Sequence, residues 1–248
     1  MSDKYEKVAV LGVNFTKITN KELLEQLKTD SLNHSNRFVI TANPEIVLYA
    51  RDNPEYLAVI KSADYTTADG IGIIKGANIL KTPLPERVTG FDTLCSLLEF
   101  ADKEQKSVYF LGAKPETIKK AIAKIRHEYP ALKIAGYHDG YFEDEQEIAT
   151  EIKASNPDFV FVALGFPKQE FFIAKHRQLT ASIWMGVGGS FDVLAGTVKR
   201  APLFWQKHHI EWLYRLFQEP SRFWRMLALP KYLIMIYLEK FGLLKTDD

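Results

Sequence analysis

A chain of 248 residues, 46% hydrophobic and 25% charged, holds enough for one large α/β domain with an appendage and is too apolar for a disordered segment. The formal net charge of +1 gives no overall pull toward nucleic acid, yet nine Lys/Arg against five Asp/Glu follow residue 195, so basic charge collects at the C-terminus. A single cysteine, Cys95, excludes an internal disulfide, a thiolate metal cluster and a CxxC redox pair, and suits a reducing, cytoplasmic compartment.

Residues 1–7 are polar, with no apolar stretch of signal-peptide length behind them, so export by that route is not expected. In chain order the pattern predicts a strand over 8–13, a helix from about Asn20, and a strand over 38–41 that runs into Asn43-Pro44. A further strand-like run ends at Thr67-Ala68, followed by Asp69-Gly70 and a helical stretch over 71–80. Polar residues thus stand where both strands stop.

From Ser107 onward the alternation is regular. Strands are predicted over 108–111, 132–135, 159–164 and 183–187, with helices from Pro115, from about Asp144 and from about Lys168 between them. That order predicts the α/β class: a Rossmann-like parallel sheet core over 1–195, its regular part at about 107–195. Ligands of such sheets gather beyond the carboxyl ends of the strands, where helix N-termini offer N–H groups to phosphate. Gly112, Tyr137, Gly165 and the 186–189 glycine run take those positions, though each glycine also suits an ordinary tight turn.

After Gly196 the texture changes. Ten aromatics fall between Phe204 and Phe241, three of the four tryptophans among them, interleaved with Arg215, Arg222, Arg225, Lys231 and Lys240. Pro220 and Pro230 predict two or three short helices in this helical, basic, aromatic appendage of residues 196–248. Its longest apolar run, 232–238, is well short of the ~20 residues that cross a bilayer, so the appendage is expected to lie on a membrane, pack on its own domain or meet a second copy in a homo-oligomer.

Asp69 is placed either to act as a general base on a sugar hydroxyl or to cap the helix that follows. Thr41, Asn43 and Glu45 offer a hydroxyl, an amide and a carboxylate at another strand end, suited to a polyhydroxylated ligand or to a plain Asn-Pro turn. Arg87 can hold a phosphate by its guanidinium fork or pair with Glu86 or Asp92. Lys168, Gln169 and Glu170 stand at a helix start. There is no GxxxxGK[ST] loop, no GxGxxG at the first strand and no Asp-x-Asp pair; Glu143-Asp144-Glu145 suits a first helical turn, and adjacent His208-His209 diverge on a helix. A site without metal or other cofactor is expected.

Taken together, Thr41-Ala42-Asn43-Pro44-Glu45, Ala68-Asp69-Gly70, Glu86-Arg87-Val88-Thr89-Gly90, Gly165-Phe166-Pro167-Lys168-Gln169-Glu170 and Gly186-Val187-Gly188-Gly189-Ser190-Phe191-Asp192 resemble the WecG/TagA/CpsF glycosyltransferase family in order and spacing. So does the tail, from Gly196-Thr197-Val198-Lys199-Arg200-Ala201-Pro202 through Glu211-Trp212-Leu213-Tyr214-Arg215-Leu216 to Glu219-Pro220-Ser221-Arg222. The resemblance implies an inverting β-1,4 transfer of N-acetylmannosamine from a UDP donor to N-acetylglucosamine-diphospho-undecaprenol, in teichoic-acid linkage-unit synthesis at the inner face of the membrane. It implies Asp69 as base, Thr41, Asn43, Arg87 and Gln169 as substrate contacts, and Arg215, Arg222 and Arg225 as the arginines of the appendage. A relative using another UDP-sugar, or a noncatalytic module that binds nucleotide-sugars, stays open at this point. Gly188-Gly189 stands where many members carry Gly-Ala.

Overall fold

A computed structural model describes residues 4–208, 210–218 and 223–244. The chain opens with β1 (Lys7–Val10) and β2 (Val13–Thr16), followed by α1 (Asn20–Leu32), β3 (Arg37–Ala42), α2 (Pro44–Asp52), α3 (Pro54–Lys61) and β4 (Tyr65–Ala68). Then come α4 (Ile71–Ile79), α5 (Gly90–Lys103), β5 (Ser107–Gly112), α6 (Pro115–Glu128), β6 (Lys133–His138), α7 (Glu145–Ser155), β7 (Phe159–Ala163), α8 (Lys168–His176), β8 (Ile183–Gly186) and α9 (Ser190–Leu194). The appendage carries α10 (Leu203–Lys207), α11 (Glu211–Gln218), α12 (Phe223–Met226) and α13 (Ala228–Lys240).

Six strands form one parallel sheet in the order β4-β3-β8-β7-β5-β6. Its strands alternate between two cores, as strands covered on both faces must. Phe38, Ile40 and Ala42 of β3 and Val160 and Val162 of β7 pack with apolar residues of α2, α3, α4, α7 and α8. Val39, Phe159 and Phe161 face α1, α5, α6 and α9 on the other side. The Rossmann-like α/β architecture expected from the sequence is what the chain adopts, and β3 and β4 of the N-terminal part belong to the same sheet as the later strands.

Helix placement creates four reversals along the carboxyl edge, at β3/β8, β8/β7, β7/β5 and β5/β6. The chain leaves β5 for α6 on one face and β7 for α8 on the other, which opens a crevice between adjacent strand ends. Another reversal lies between β3, followed by α2, and β8, followed by α9.

Three expectations are corrected. The run over 8–13 is not one strand: Leu11 and Gly12 take φ of 51° and 82°, a two-residue turn that folds β1 back on β2 in a separate antiparallel hairpin. β6 runs to His138, beyond the expected end at residue 135. Pro230 does not interrupt a helix; it is the third residue of α13, within the first turn, where no intrahelical N–H bond is lost.

One face of the last helix belongs to the core. Tyr232 and Ile236 of α13 are fully buried against α2 and α4, and a Cβ at Gly76 of α4 would collide with the Tyr232 hydroxyl. Glu239 of α13 accepts the Leu11 N–H of the hairpin turn at 3.2 Å. The other face of α13 exposes Leu233, Ile234 and Tyr237, and α10–α12 expose Phe204, Phe217 and Trp224 at 62%, 69% and 76%. Among the described residues no helix is long and apolar enough to cross a membrane.

Candidate active site

In the parallel β3–β4 ladder Ala42 stands opposite Ala68, so Asn43 and Asp69 leave the sheet side by side. The Asp69 N–H donates to the Ala42 carbonyl at 2.9 Å, and the Val88 N–H donates to the Ala68 carbonyl at 3.0 Å. Residues 87–89 therefore run past the end of β4. They deliver the Gly90 N–H, the first amide of α5, onto Asp69 Oδ2 at 3.3 Å. The Thr41 hydroxyl lies beneath Gly90, where a Cβ would come within 2.9 Å of Oγ1.

The N-cap of α4 is Gly70, and the Asp69 carboxylate accepts from the first amide of α5. Asp69, Thr41, Asn43 and Arg87 are all half-buried. Asn43 Oδ1 accepts the Ile46 N–H at 3.0 Å and caps α2, which fixes the side chain at the strand exit.

Arg87 pairs with neither of its expected neighbours. Its Nη1 lies 2.9 Å from Glu211 Oε2 on α11, while Glu86 accepts the Asn20 N–H at 2.6 Å and Asp92 pairs with Arg200 at 2.7 Å. Gln169 is buried at the start of α8; its Oε1 accepts the Gly188 N–H at 3.1 Å and its Nε2 donates to Glu170 Oε1 at 2.7 Å. It thus fixes the turn after β8, one strand from Thr41. Glu170 is 1% exposed, and burial raises its carboxyl above the ordinary 4.5, against the hydrogen bond from Gln169.

Gly112 and Gly165 flank the β5/β7 crevice. Gly112 ends β5, and a Cβ there would collide with the Ala163 carbonyl of β7, so only glycine lets the two strand ends approach. Gly165 has no atom within 4 Å of its Cβ direction and faces open space. Tyr137, expected at a strand exit, lies within β6 opposite Phe110 and is 39% exposed. It stands at the far edge of the sheet from Asp69, about 24 Å away at ~4.8 Å per strand.

The structure therefore brings Thr41, Asn43, Asp69 and Arg87 to the β3/β4 end; Gln169, whose N–H donates to the Gly165 carbonyl at 3.0 Å, lies with Gly165 between that end and Gly112, and Tyr137 stands at the far edge. Arg222 lies outside the described residues, as do the side chains of Arg215 and Arg225. A groove lined by Phe142, Leu164, Lys168, Phe171, Phe172 and Lys175 opens on the α8 side; none of Thr41, Asn43, Asp69 or Arg87 lines it. Among the described residues no group of three or more His, Cys, Asp or Glu is placed to hold a metal ion. Burial pushes the Cys95 thiol up to about 11, which removes it as a nucleophile at neutral pH.

Two participants were not singled out from the sequence. Gly90 followed Arg87-Val88-Thr89 in plain view, but its N–H donor role depends on how the segment crosses β4. Glu211 was quoted only within the tail pattern, and nothing local ties it to Arg87.

The fold and this site define a Rossmann-like α/β protein with polar side chains converging on one strand end and a glycine-lined crevice further along the same edge. The chain matches the Glycosyl transferase WecG/TagA/CpsF family over residues 8–246 and belongs to it. It is 48% identical over 200 residues to the N-acetylglucosaminyldiphosphoundecaprenol N-acetyl-beta-D-mannosaminyltransferase of Bacillus spizizenii W23, covering 80% of this chain and 78% of the relative. The proteins of the same name from Bacillus subtilis 168 and Staphylococcus aureus MW2 are 42% and 40% identical, covering 82% and 93% of this chain and 79% and 92% of theirs.

Proposed function

We propose that this chain is an inverting glycosyltransferase that moves N-acetylmannosamine from UDP to the 4-hydroxyl of N-acetylglucosamine-diphospho-undecaprenol. The observation that carries the reading is the grouping of Thr41, Asn43, Asp69 and Arg87 at the β3/β4 exit, in a chain 40–48% identical to enzymes of that name.

In this reading the uridine lies in the β5/β7 crevice near Gly112 and Gly165, with Tyr137 one strand beyond. The diphosphate passes over the turn fixed by Gln169 between β7 and β3, and the sugar reaches the β3/β4 exit. That sequence of strands along the edge matches the order nucleoside, diphosphate, sugar. Asp69 takes the proton of the acceptor hydroxyl; the acceptor oxygen bonds to the anomeric carbon from the face opposite UDP, and the bond from that carbon to the phosphate oxygen breaks. Arg87 and the helix N-termini offset the negative charge that gathers on departing UDP, where such preorganised donors act most strongly. Thr41 and Asn43 orient the reacting sugars.

Arg215, Arg222 and Arg225 are assigned to the diphosphate and the membrane surface. The exposed aromatics of α10–α12 support a docking face there, since Trp and basic residues favour the headgroup boundary of an anionic inner leaflet. The counter-charge is supplied by arginine, so the reaction is expected to run in EDTA; activity lost on chelation and restored by Mg²⁺ or Mn²⁺ would overturn that part.

The test of the function is a panel of UDP-N-acetylmannosamine, its uronic acid and UDP-hexoses offered with N-acetylglucosamine-diphospho-lipid. Transfer is expected from the first, with one UDP released per disaccharide. Transfer from another donor alone would reassign the sugar, and UDP binding without turnover on any acceptor would reduce the chain to a binding module.

A further inference from the structure

We infer that Glu211 is a positioning residue: from α11 its carboxylate holds the Arg87 guanidinium in the orientation that serves the departing diphosphate. The inference rests on the assignment of Arg87 to the departing diphosphate.

The pair joins segments far apart in sequence, at 2.9 Å, with the two side chains only 16% and 19% exposed. On the backbone side Arg87 is already fixed, because the adjoining Val88 N–H is bonded to Ala68, the residue before Asp69. What remains free is a long side chain, which loses much rotamer freedom on ordering. A carboxylate on Nη1 restrains it and still leaves N–H donors on the other edges of the planar fork for a phosphate. Glu211 therefore has the geometry to orient Arg87 without occupying the whole of it.

A second contact places the same segment under the appendage. Arg200 Nη2 lies 2.7 Å from Asp92 Oδ1, and its guanidinium sits 5.0 Å over the Phe91 ring. Asp92 is in the first turn of α5, two residues after the Gly90 N–H that binds Asp69. The appendage thus grips residues 87–92 at both ends, on either side of the amide that holds the general base. Arg200 and Asp92 are more exposed, at 32% and 42%, as suits a rim contact. Glu211 and Arg87 form the inner one.

The experiment compares the wild-type chain, D69N, E211Q, E211D, R87A and R87A/E211Q, using UDP-N-acetylmannosamine and a short-chain N-acetylglucosamine-diphospho-lipid. UDP binding is measured alongside. E211Q is expected to lower kcat by about 10²-fold, the scale of a misplaced catalytic group, while UDP affinity stays close to that of the wild type. E211D, which keeps the charge, should recover part of the rate. The R87A/E211Q double variant should be no slower than R87A, because Glu211 acts only through Arg87. If the loss from E211Q is as large without Arg87 as with it, Glu211 merely braces the tail and the inference is wrong. An E211Q chain as fast as wild type also overturns it, and a faster one would show that Glu211 competes with the diphosphate. No transfer by the wild-type chain overturns the reaction assignment and this role with it, whereas wild-type transfer with E211Q unaffected overturns this role alone.

Discussion

The two ends of the sheet's carboxyl edge are built from different materials. At β3/β4 the surface is made by side chains: Asp69, Asn43 and Arg87, each held by a partner, and Thr41, whose hydroxyl lies against Gly90. At β5/β7 it is made by backbone, with Gly112 letting two strands close up and Gly165 leaving a gap. A nucleotide is well served by backbone and open space, and proton transfer needs a positioned carboxylate. Under the proposed function, binding falls to one end and chemistry to the other.

That division can be broken by kinetics. The largest effect is expected from Asp69→Asn, which should lower kcat by about 10²–10⁴-fold with UDP affinity and fold retained. Next comes Gly165→Asn, a residue that tolerates the φ of 75° there and adds a side chain beside the crevice; KM for the donor should rise about tenfold with little change in kcat, as for an interaction shared by ground and transition states. Tyr137→Ala should raise the same KM by about fivefold, the low end of an aromatic–base contact. A fall in kcat at the β5/β7 end, or a rise in KM alone from Asp69→Asn, would erase the distinction.

The smallest effect concerns the buried carboxyl between the two ends. Burial raises the Glu170 carboxyl above 4.5, so its protonated form fits the fold best. Its contribution is fully present below about pH 4.5 and is lost as pH rises through the raised folded value. Glu170→Gln should therefore change little in acid and stabilise by about 1 kcal/mol near neutrality, read as denaturation midpoints across pH. A variant less stable at neutral pH would mean that the charged carboxylate is needed by its neighbours.

How far the sequence could be read depended on the range of the interactions. Asp69 and Asn43 were legible because strand exits followed by Gly or Pro are local signals, and the regular alternation after Ser107 fixed the parallel sheet. The hairpin was missed because Leu11-Gly12 sits inside an unbroken apolar run, and a positive φ at leucine has no sequence signature. Arg87 was seen, but its partner was sought among its neighbours, whereas Glu211 reaches it only once the appendage has packed. The same limit hid α13: its apolar residues suited a membrane surface as well as a core, and the fit of Tyr232 over Gly76 sets one face of that helix in the core while Leu233, Ile234 and Tyr237 stay exposed.

One carboxylate, Asp69, is proposed to serve a single displacement at the β3/β4 exit. The measurement that tests it most directly is the anomeric configuration of the transferred sugar, by NMR of the lipid-linked product, compared with that of the donor. Opposite configurations are predicted, since one displacement inverts the carbon it attacks. Retained configuration would require a second displacement and a nucleophile on the protein, and would contradict the account.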